Sequence, residues 1–243
     1  MKNIVIIPVR LAATRFPNKP LADICGKPMV QWVYERAKSA KLVSDVIVAA
    51  CDDEVIKVVE SFGGKAVMTS PDHQSGTDRI AEVASFIDCD IVINVQGDEP
   101  LINPASIDKA MEPFNDTSVE MASLMVEISR EDAKDPNLVK VVVDKDCNAL
   151  YFSRSLIPYD RKPISGSYLG HVGLYAYRRD FLLEMASWKQ TNLEITESLE
   201  QLRVLEMGKK IKMILIDEKP MGVDTPEDLD EVCKLIESNK LYF

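Results

Sequence analysis

The chain has 243 residues, of which 46% are hydrophobic and 28% charged, and its formal net charge is −10. That is the balance of an ordinary globular protein long enough to bury a full core, and its acidity disfavours nucleic acid and anionic lipid as partners. No apolar run reaches membrane-spanning length, the opening "MKNIVIIPVR" reads as a strand rather than a signal peptide, and the five cysteines never fall in C-x-x-C spacing, which argues against a zinc site or disulfide framework.

Short β-branched runs then alternate with segments of helical period. "NIVIIP" predicts a buried strand that ends near Ile7, because Pro8 cannot donate in a sheet ladder. "KPMVQWVYERAKSAK" predicts a helix with Pro28 in its first turn, "DVIVAA" a strand, "DEVIKVVESFGG" a helix closed by glycine, and "KAVMT" a strand. "TDRIAEVASFI" reads as a helix and "DIVINVQGDEP" as a strand running into a turn. Such alternation predicts a parallel sheet covered by helices. From about residue 119, "VEMASLMVEI", "VKVVVD", "NALYFSR" and "YLGHVGLYAYR" follow closely, as in a mixed or antiparallel extension. A helix over "ITESLEQLRVLEMG", a strand over "KIKMILID" and a helix over "TPEDLDEVCKLIES" complete the chain. One α/β domain is expected, with residues 1–118 as one half, 119–178 as a β-rich part, and 179–243 completing the core.

The segment "IIPVRLAATRFPNKPL" (6–21) gathers Arg10, Arg15 and Lys19 just past the first strand, where open α/β sheets bind ligands. Pro17 and Pro20 forbid a regular helix and push Phe16 and Lys19 toward extended backbone. Either an anion sits among these cations or they are solvated surface charges; spacing alone does not choose.

With "GKP" (26–28), "HQSGTDR" (73–79), "NVQGDEP" (94–100), "ALYFSR" (149–154), "HVGLYAYR" (171–178), "LEQLRVL" (199–205) and "GVDTPEDL" (222–229), the segment resembles the nucleotide-sugar cytidylyltransferases. The ordered set, which spans almost the whole chain, is most similar to the branch that activates 3-deoxy-manno-octulosonate (Kdo). Two positions depart from that pattern: Ala13 stands where the family usually has serine, and Asn18 where it has glycine.

The resemblance implies a Rossmann-like, three-layer nucleotide-diphospho-sugar transferase fold, with a mixed, mostly parallel sheet and a smaller β-rich part. It also implies transfer of CMP from CTP to Kdo with release of pyrophosphate, which demands positioning and charge neutralisation more than covalent catalysis. Arg10 and Lys19 match the family's triphosphate-binding positions, with Arg15 a third contact and Pro8 beside them. Asp98 and Asp224 match its Mg²⁺ ligands, a set that suits a cation content with few carboxylates. On the residues alone, Asp98 is equally a turn residue, and Asp224 competes with Thr225 for a helix cap. Gln74, Ser75 and Gly76, with Gln96, match the positions around base and ribose; Ser75 or Thr77 is equally a helix cap. Arg154, His171, Glu200 and Gln201 match sugar-binding positions. Helical spacing turns Leu199, Leu202 and Leu205 to the core and leaves Glu200 and Gln201 on other faces. Tyr151, Phe152, Tyr175 and Tyr177 read as mainly core. A cytoplasmic homodimer serving lipopolysaccharide synthesis is implied as well.

Competing readings are a cytidylyltransferase for sialic acid or the 8-amino analogue of Kdo, and an enzyme using UTP or TTP, which would open with a glycine-rich loop. A nicotinamide-dependent dehydrogenase lacks its G-x-G-x-x-G after the first strand. An inactive nucleotide-binding protein would have no need of Asp98 and Asp224.

Overall fold

The computed structural model describes residues 1–12, 16–161, 168–218 and 220–238. Arg15 and Ala13 therefore lie outside the described residues. The chain divides into two compact units, Met1–Asp108 with Pro220–Phe243, and Lys109–Lys219.

The first unit is built on β1 (Asn3–Val9), β2 (Asp23–Ile24), β3 (Lys27–Pro28), α1 (Met29–Ser39), β4 (Asp45–Ala50), α2 (Asp53–Ser61), β5 (Ala66–Met68), α3 (Gly76–Phe86), β6 (Ile91–Asn94) and the start of α4 (Pro104–Met111). β1 lies between β4 and β6 and pairs with both in parallel, while β5 adds to β4. Ile4, Val5, Ile6 and Ile7 are all buried, as a strand covered on both faces requires. Each such side chain contributes roughly 1.5–3 kcal/mol of burial.

β1 does not stop at Ile7. It runs to Val9, with Pro8 opposite Ala49 of β4. Ile6 O accepts from Val95 N, so residues of that parity turn toward β6, and pairing with β6 ends at Ile6–Asn94. The N–H that Pro8 lacks would have faced a neighbour that has already left, and the ladder loses nothing.

β2 and β3 form a hairpin that went unpredicted, its tip made by Cys25 and Gly26 at φ 50° and 86°. Positive φ at both central residues matches the twist of a two-residue hairpin. Pro28 stands just ahead of α1 as its cap residue rather than in its first turn.

The second unit contains β7 (Met121–Ile128), β8 (Lys140–Val143), β9 (Ala149–Ser153), β10 (Tyr168–Arg178), α5 (Arg179–Ala186), α6 (Asn192–Glu197), α7 (Gln201–Glu206) and β11 (Lys212–Ile216). β7 runs antiparallel to β10 and parallel to β11; β8 pairs with β9 and β10, antiparallel to both. The single helix expected over 195–208 is two short ones, broken at Ser198, whose φ of 52° is left-handed. The break folds α7 against α6, and Arg203 pairs with Glu194 through both oxygens, Nε to Oε2 at 2.8 Å, with both side chains buried.

The chain returns to the first unit as α8 (Pro226–Glu237). Val223 and Val232 join Ile24, Met29 and Leu101 in one buried cluster, which anchors α8 beside the hairpin and α1.

Candidate active site

The carboxyl ends of β1 and β6, the start of α3 and the approach to α8 enclose a cavity of about 430 Å³ in the first unit. Pro8, Arg10, Lys19, Gln74, Ser75, Gly76, Gln96, Asp98 and Asp224, all expected site residues, line it.

Two glycines allow this convergence. A Cβ on Gly97 would sit 3.0 Å from Val9 Cγ2 and 3.2 Å from Pro8 O, and one on Gly76 would sit 3.3 Å from Pro8 Cγ. A side chain at either position would press on the end of β1, so glycine leaves the turn after β6 and the start of α3 free to lie close to it.

After β1 the chain closes a 3₁₀ turn over Lys19–Leu21, with Leu21 N donating to Asn18 O at 2.9 Å and Ala22 N to Lys19 O at 3.1 Å. Lys19 is thus helical rather than extended. Pro20 sits where the turn asks no N–H of it, and that outweighs the extended bias of a residue before proline. Asn18 stands at φ 56°, ψ 21°. This left-handed region suits glycine first and asparagine next, so the departure at Asn18 keeps the backbone geometry.

The turn delivers Lys19 Nζ to 2.7 Å from Asp98 Oδ2 and 3.3 Å from Asp224 Oδ1. Burial works against the ammonium, but the Asp98 carboxylate and then Asp224 outweigh it and hold its pKa above the ordinary lysine value. Asp224 reaches the site although 205 residues separate it from Lys19. Val223 N donates to Asp98 O at 2.9 Å, stitching the two acidic segments together. Thr225, not Asp224, caps α8: its hydroxyl accepts from Asp228 N, and Asp228 Oδ2 accepts from the N–H groups of Thr225 and Asp224 at 2.9 Å each. The Asp224 carboxylate is left to face Lys19. Arg10 is exposed on the cavity wall and forms no ion pair with a described residue.

Ser75 caps α3 in a reciprocal pair with Asp78, and Gln74 Nε2 donates to Asp72 O at 2.8 Å. Gln96 Nε2 donates to Asn94 Oδ1 at 3.0 Å.

Two polar side chains that line the cavity, Arg79 and His73, and a third next to Asp98 in the chain, Glu99, were missed. Arg79 lines the cavity while only 4% exposed, held by Thr69 Oγ1 and Ser70 O. His73 lines it too and bonds through Nε2 to Glu82, whose carboxyl is kept below the usual range by the Ser70 N–H and then by His73. Both residues lie inside "HQSGTDR", and the signal was the motif itself. Glu99 follows Asp98; its Oε2 is buried without a partner among the described residues, and burial, then the Asp98 charge, push its carboxyl up to about 8.

The four expected sugar-binding residues belong to the second unit. Arg154 Nε donates to Glu197 O at 2.9 Å, Nη1 to Pro136 O at 3.2 Å and Nη2 to Ser198 O at 3.4 Å, and two of its five N–H groups have no partner among the described residues. His171 packs against both Phe152 and Tyr175, with ring centroids at 5.0 and 5.4 Å. Burial and then the Glu200 carboxylate push the Tyr175 phenol well up. Gln201 does not project away from the core: it is 4% exposed, with Nε2 unpartnered among the described residues. Splitting the helix at Ser198 turned it inward. Phe152 and Tyr177 are core, as expected, whereas Tyr151 and Tyr175 are half-buried.

Residues 4–211 match the cytidylyltransferase family. The chain is 54% identical to the 3-deoxy-manno-octulosonate cytidylyltransferase of Geobacter metallireducens, over 96% of this chain and 97% of that one. It is 51% identical to that of Vibrio vulnificus, with the same coverage. A solved CMP:2-keto-3-deoxy-manno-octonic acid synthetase complexed with CTP superposes with a TM-score of 0.96 at 45% identity, covering 99% of this chain and all 100% of that one. The 4-diphosphocytidyl-2C-methyl-D-erythritol synthase of Anaerococcus prevotii, at 13% identity and a TM-score of 0.66 over 97% of this chain and 99% of its own, shares the fold alone. The mixed, mostly parallel α/β architecture is that of the nucleotide-sugar transferases. With its basic turn and paired aspartates in one cavity, the chain belongs to the cytidylyltransferase family, among the 3-deoxy-manno-octulosonate cytidylyltransferases.

Proposed function

We propose that the chain transfers CMP from CTP to Kdo: the anomeric hydroxyl attacks the α-phosphorus in line, the bond to the β-phosphate oxygen breaks, and pyrophosphate leaves. The observation that carries this is Lys19, set between Asp98 and Asp224 with Arg10 on the same cavity wall. Arg10 offers a planar fork to two phosphate oxygens, and Lys19 a mobile point charge for the leaving pyrophosphate. Arg15 is a third contact by family resemblance. Gln74, Ser75, Gly76 and Gln96 line the space for base and ribose, beside the positive end of α3. Arg154 meets the sugar carboxylate, and His171, Glu200 and Gln201 meet its hydroxyls.

The residues fit Mg²⁺. Asp98 and Asp224 already share one cation, the Lys19 ammonium, at 2.7 and 3.3 Å, and magnesium asks for one or two carboxylates with phosphate and water completing its shell. When bound there, Mg²⁺ neutralises phosphate charge and acidifies the sugar hydroxyl. The same reading makes the protein a cytoplasmic homodimer that supplies lipopolysaccharide synthesis; light scattering at the mass of one chain removes the dimer.

The deciding assay is pyrophosphate release from each nucleoside triphosphate with Kdo, sialic acid or the 8-amino sugar, with and without Mg²⁺. Release is expected only with the pair CTP and Kdo, and only when Mg²⁺ is present. No release with that pair overturns the reading, and release with another acid sugar instead moves it to that branch.

A further inference from the structure

On β10 the register with β7 shifts between Val172 and Tyr175, so that Gly173 and Leu174 fall outside the paired positions. Such a bulge turns backbone carbonyls out of the ladder. Ser123, opposite Tyr175 on β7 and wholly buried, stands at this irregularity. Its Oγ lies 3.0 Å from Leu174 O, 3.3 Å from Val172 O and 3.0 Å from His171 Nε2.

A hydroxyl has one proton to donate, and carbonyl oxygens have none. If Ser123 gave its proton to His171, Oγ and the Leu174 oxygen would face each other at 3.0 Å with no hydrogen between them. Buried and unpaired, that arrangement is penalised. The proton therefore goes to the carbonyls, and Oγ accepts from Nε2–H. Burial pushes the imidazole down to about 3, so the ring is neutral at physiological pH and its other nitrogen keeps a lone pair. Phe152, edge-on at 5.0 Å, and Tyr175, tilted at 5.4 Å, pack against the ring and restrict its plane. Among the described residues Nδ1 has no hydrogen-bond partner.

We propose that Ser123 is a positioning residue that locks His171 as its Nε2–H tautomer, so that Nδ1 accepts a hydrogen bond from a hydroxyl of the acid sugar. The lock itself stands on the geometry of β7 and β10; its use toward sugar rests on the activity proposed above. Ser123 gives specificity a direction, because an imidazole held this way welcomes a donor and refuses an acceptor.

The test is ¹⁵N NMR of the imidazoles in the substrate-free protein at pH 7, where the chain's two histidines give a sparse spectrum and His171→Phe assigns it. The wild type is expected to show His171 purely as Nε2–H. Ser123→Ala is expected to give a tautomer mixture and to raise KM for Kdo about 3- to 10-fold while KM for CTP stays put. Ser123→Thr, which keeps the hydroxyl, is expected to restore both. A wild-type His171 that is Nδ1–H or cationic overturns the lock, as does a pure Nε2–H signal in Ser123→Ala. An unchanged KM for Kdo in Ser123→Ala overturns its role toward the sugar. Because the spectrum is read without substrate, an absence of activity with CTP and Kdo would count against the proposed reaction and not against the lock.

Discussion

Lys19 shows how one side chain connects charge, fold and chemistry. It is mostly buried, it touches both aspartates, and without it two carboxylates would face each other across a small gap. Raised above the ordinary value of 10.5, its pKa gives an ionic contribution to stability that is fully present below pH 10.5 and lost only as pH climbs through the folded value. Lys19→Ala should therefore lower kcat about 10²- to 10³-fold, the usual cost of removing one donor aimed at developing charge, with the loss constant between pH 6 and 9. Steady-state pyrophosphate release across that range checks it; a loss that vanishes at one end would assign the defect to another group. The neighbouring residues were unequally legible. Prolines and cations in the basic segment announced a braced loop, but the helical turn at Lys19 depends on hydrogen bonds from Leu21 and Ala22 that no single residue type signals. Arg79 was not singled out within its motif, because burial in a cavity wall leaves no trace in periodicity.

At the scale of elements, close approach does the positioning. The turn carrying Asp98 can lie on the end of β1 because Gly97 has no side chain. Gly97→Ala should cost about 1–3 kcal/mol, the range for overpacking, and should impair turnover more than stability loss alone explains, since Gln96 and Asp98 flank it. Urea unfolding with parallel kinetics measures both; a variant unfolding and turning over like the wild type would contradict the close contact. The strand–helix alternation of the first unit was readable since β1, β4 and β6 are mostly apolar and buried and the helices between them follow their own period. Three features were not. Pro8 lies within β1 because β6 pairing has ended there. The helix expected over 195–208 breaks at the left-handed Ser198, and the buried Arg203–Glu194 pair spans the two halves, a tertiary contact that helical period does not encode. The β2–β3 hairpin hides behind Cys25, an unusual residue for positive φ.

At the scale of the whole molecule, an acidic chain handles two anionic substrates by gathering its cations locally. The net charge of −10 is a property of the surface at large, whereas Arg10 and Lys19 sit in one cavity of the first unit. Fold class and family could be read from motifs spread over the whole chain, and the comparisons agree with them. The division into units at residues 108 and 219 could not, because chain order says little about a segment that leaves a domain and later rejoins it. The joining is done by α8 and its buried cluster with Ile24, Met29 and Leu101, which brings Asp224 back to Asp98. The pairing of Asp98 with Asp224 rests on that return. Pyrophosphate release by Asp98→Asn, at saturating CTP, Kdo and Mg²⁺ and with the fold verified by circular dichroism, tests it most directly. The expected result is a rate at least about 10³-fold below wild type, in keeping with the several kcal/mol that metal-assisted charge stabilisation supplies. A rate within about threefold of wild type, less than 1 kcal/mol of lost stabilisation, would contradict it.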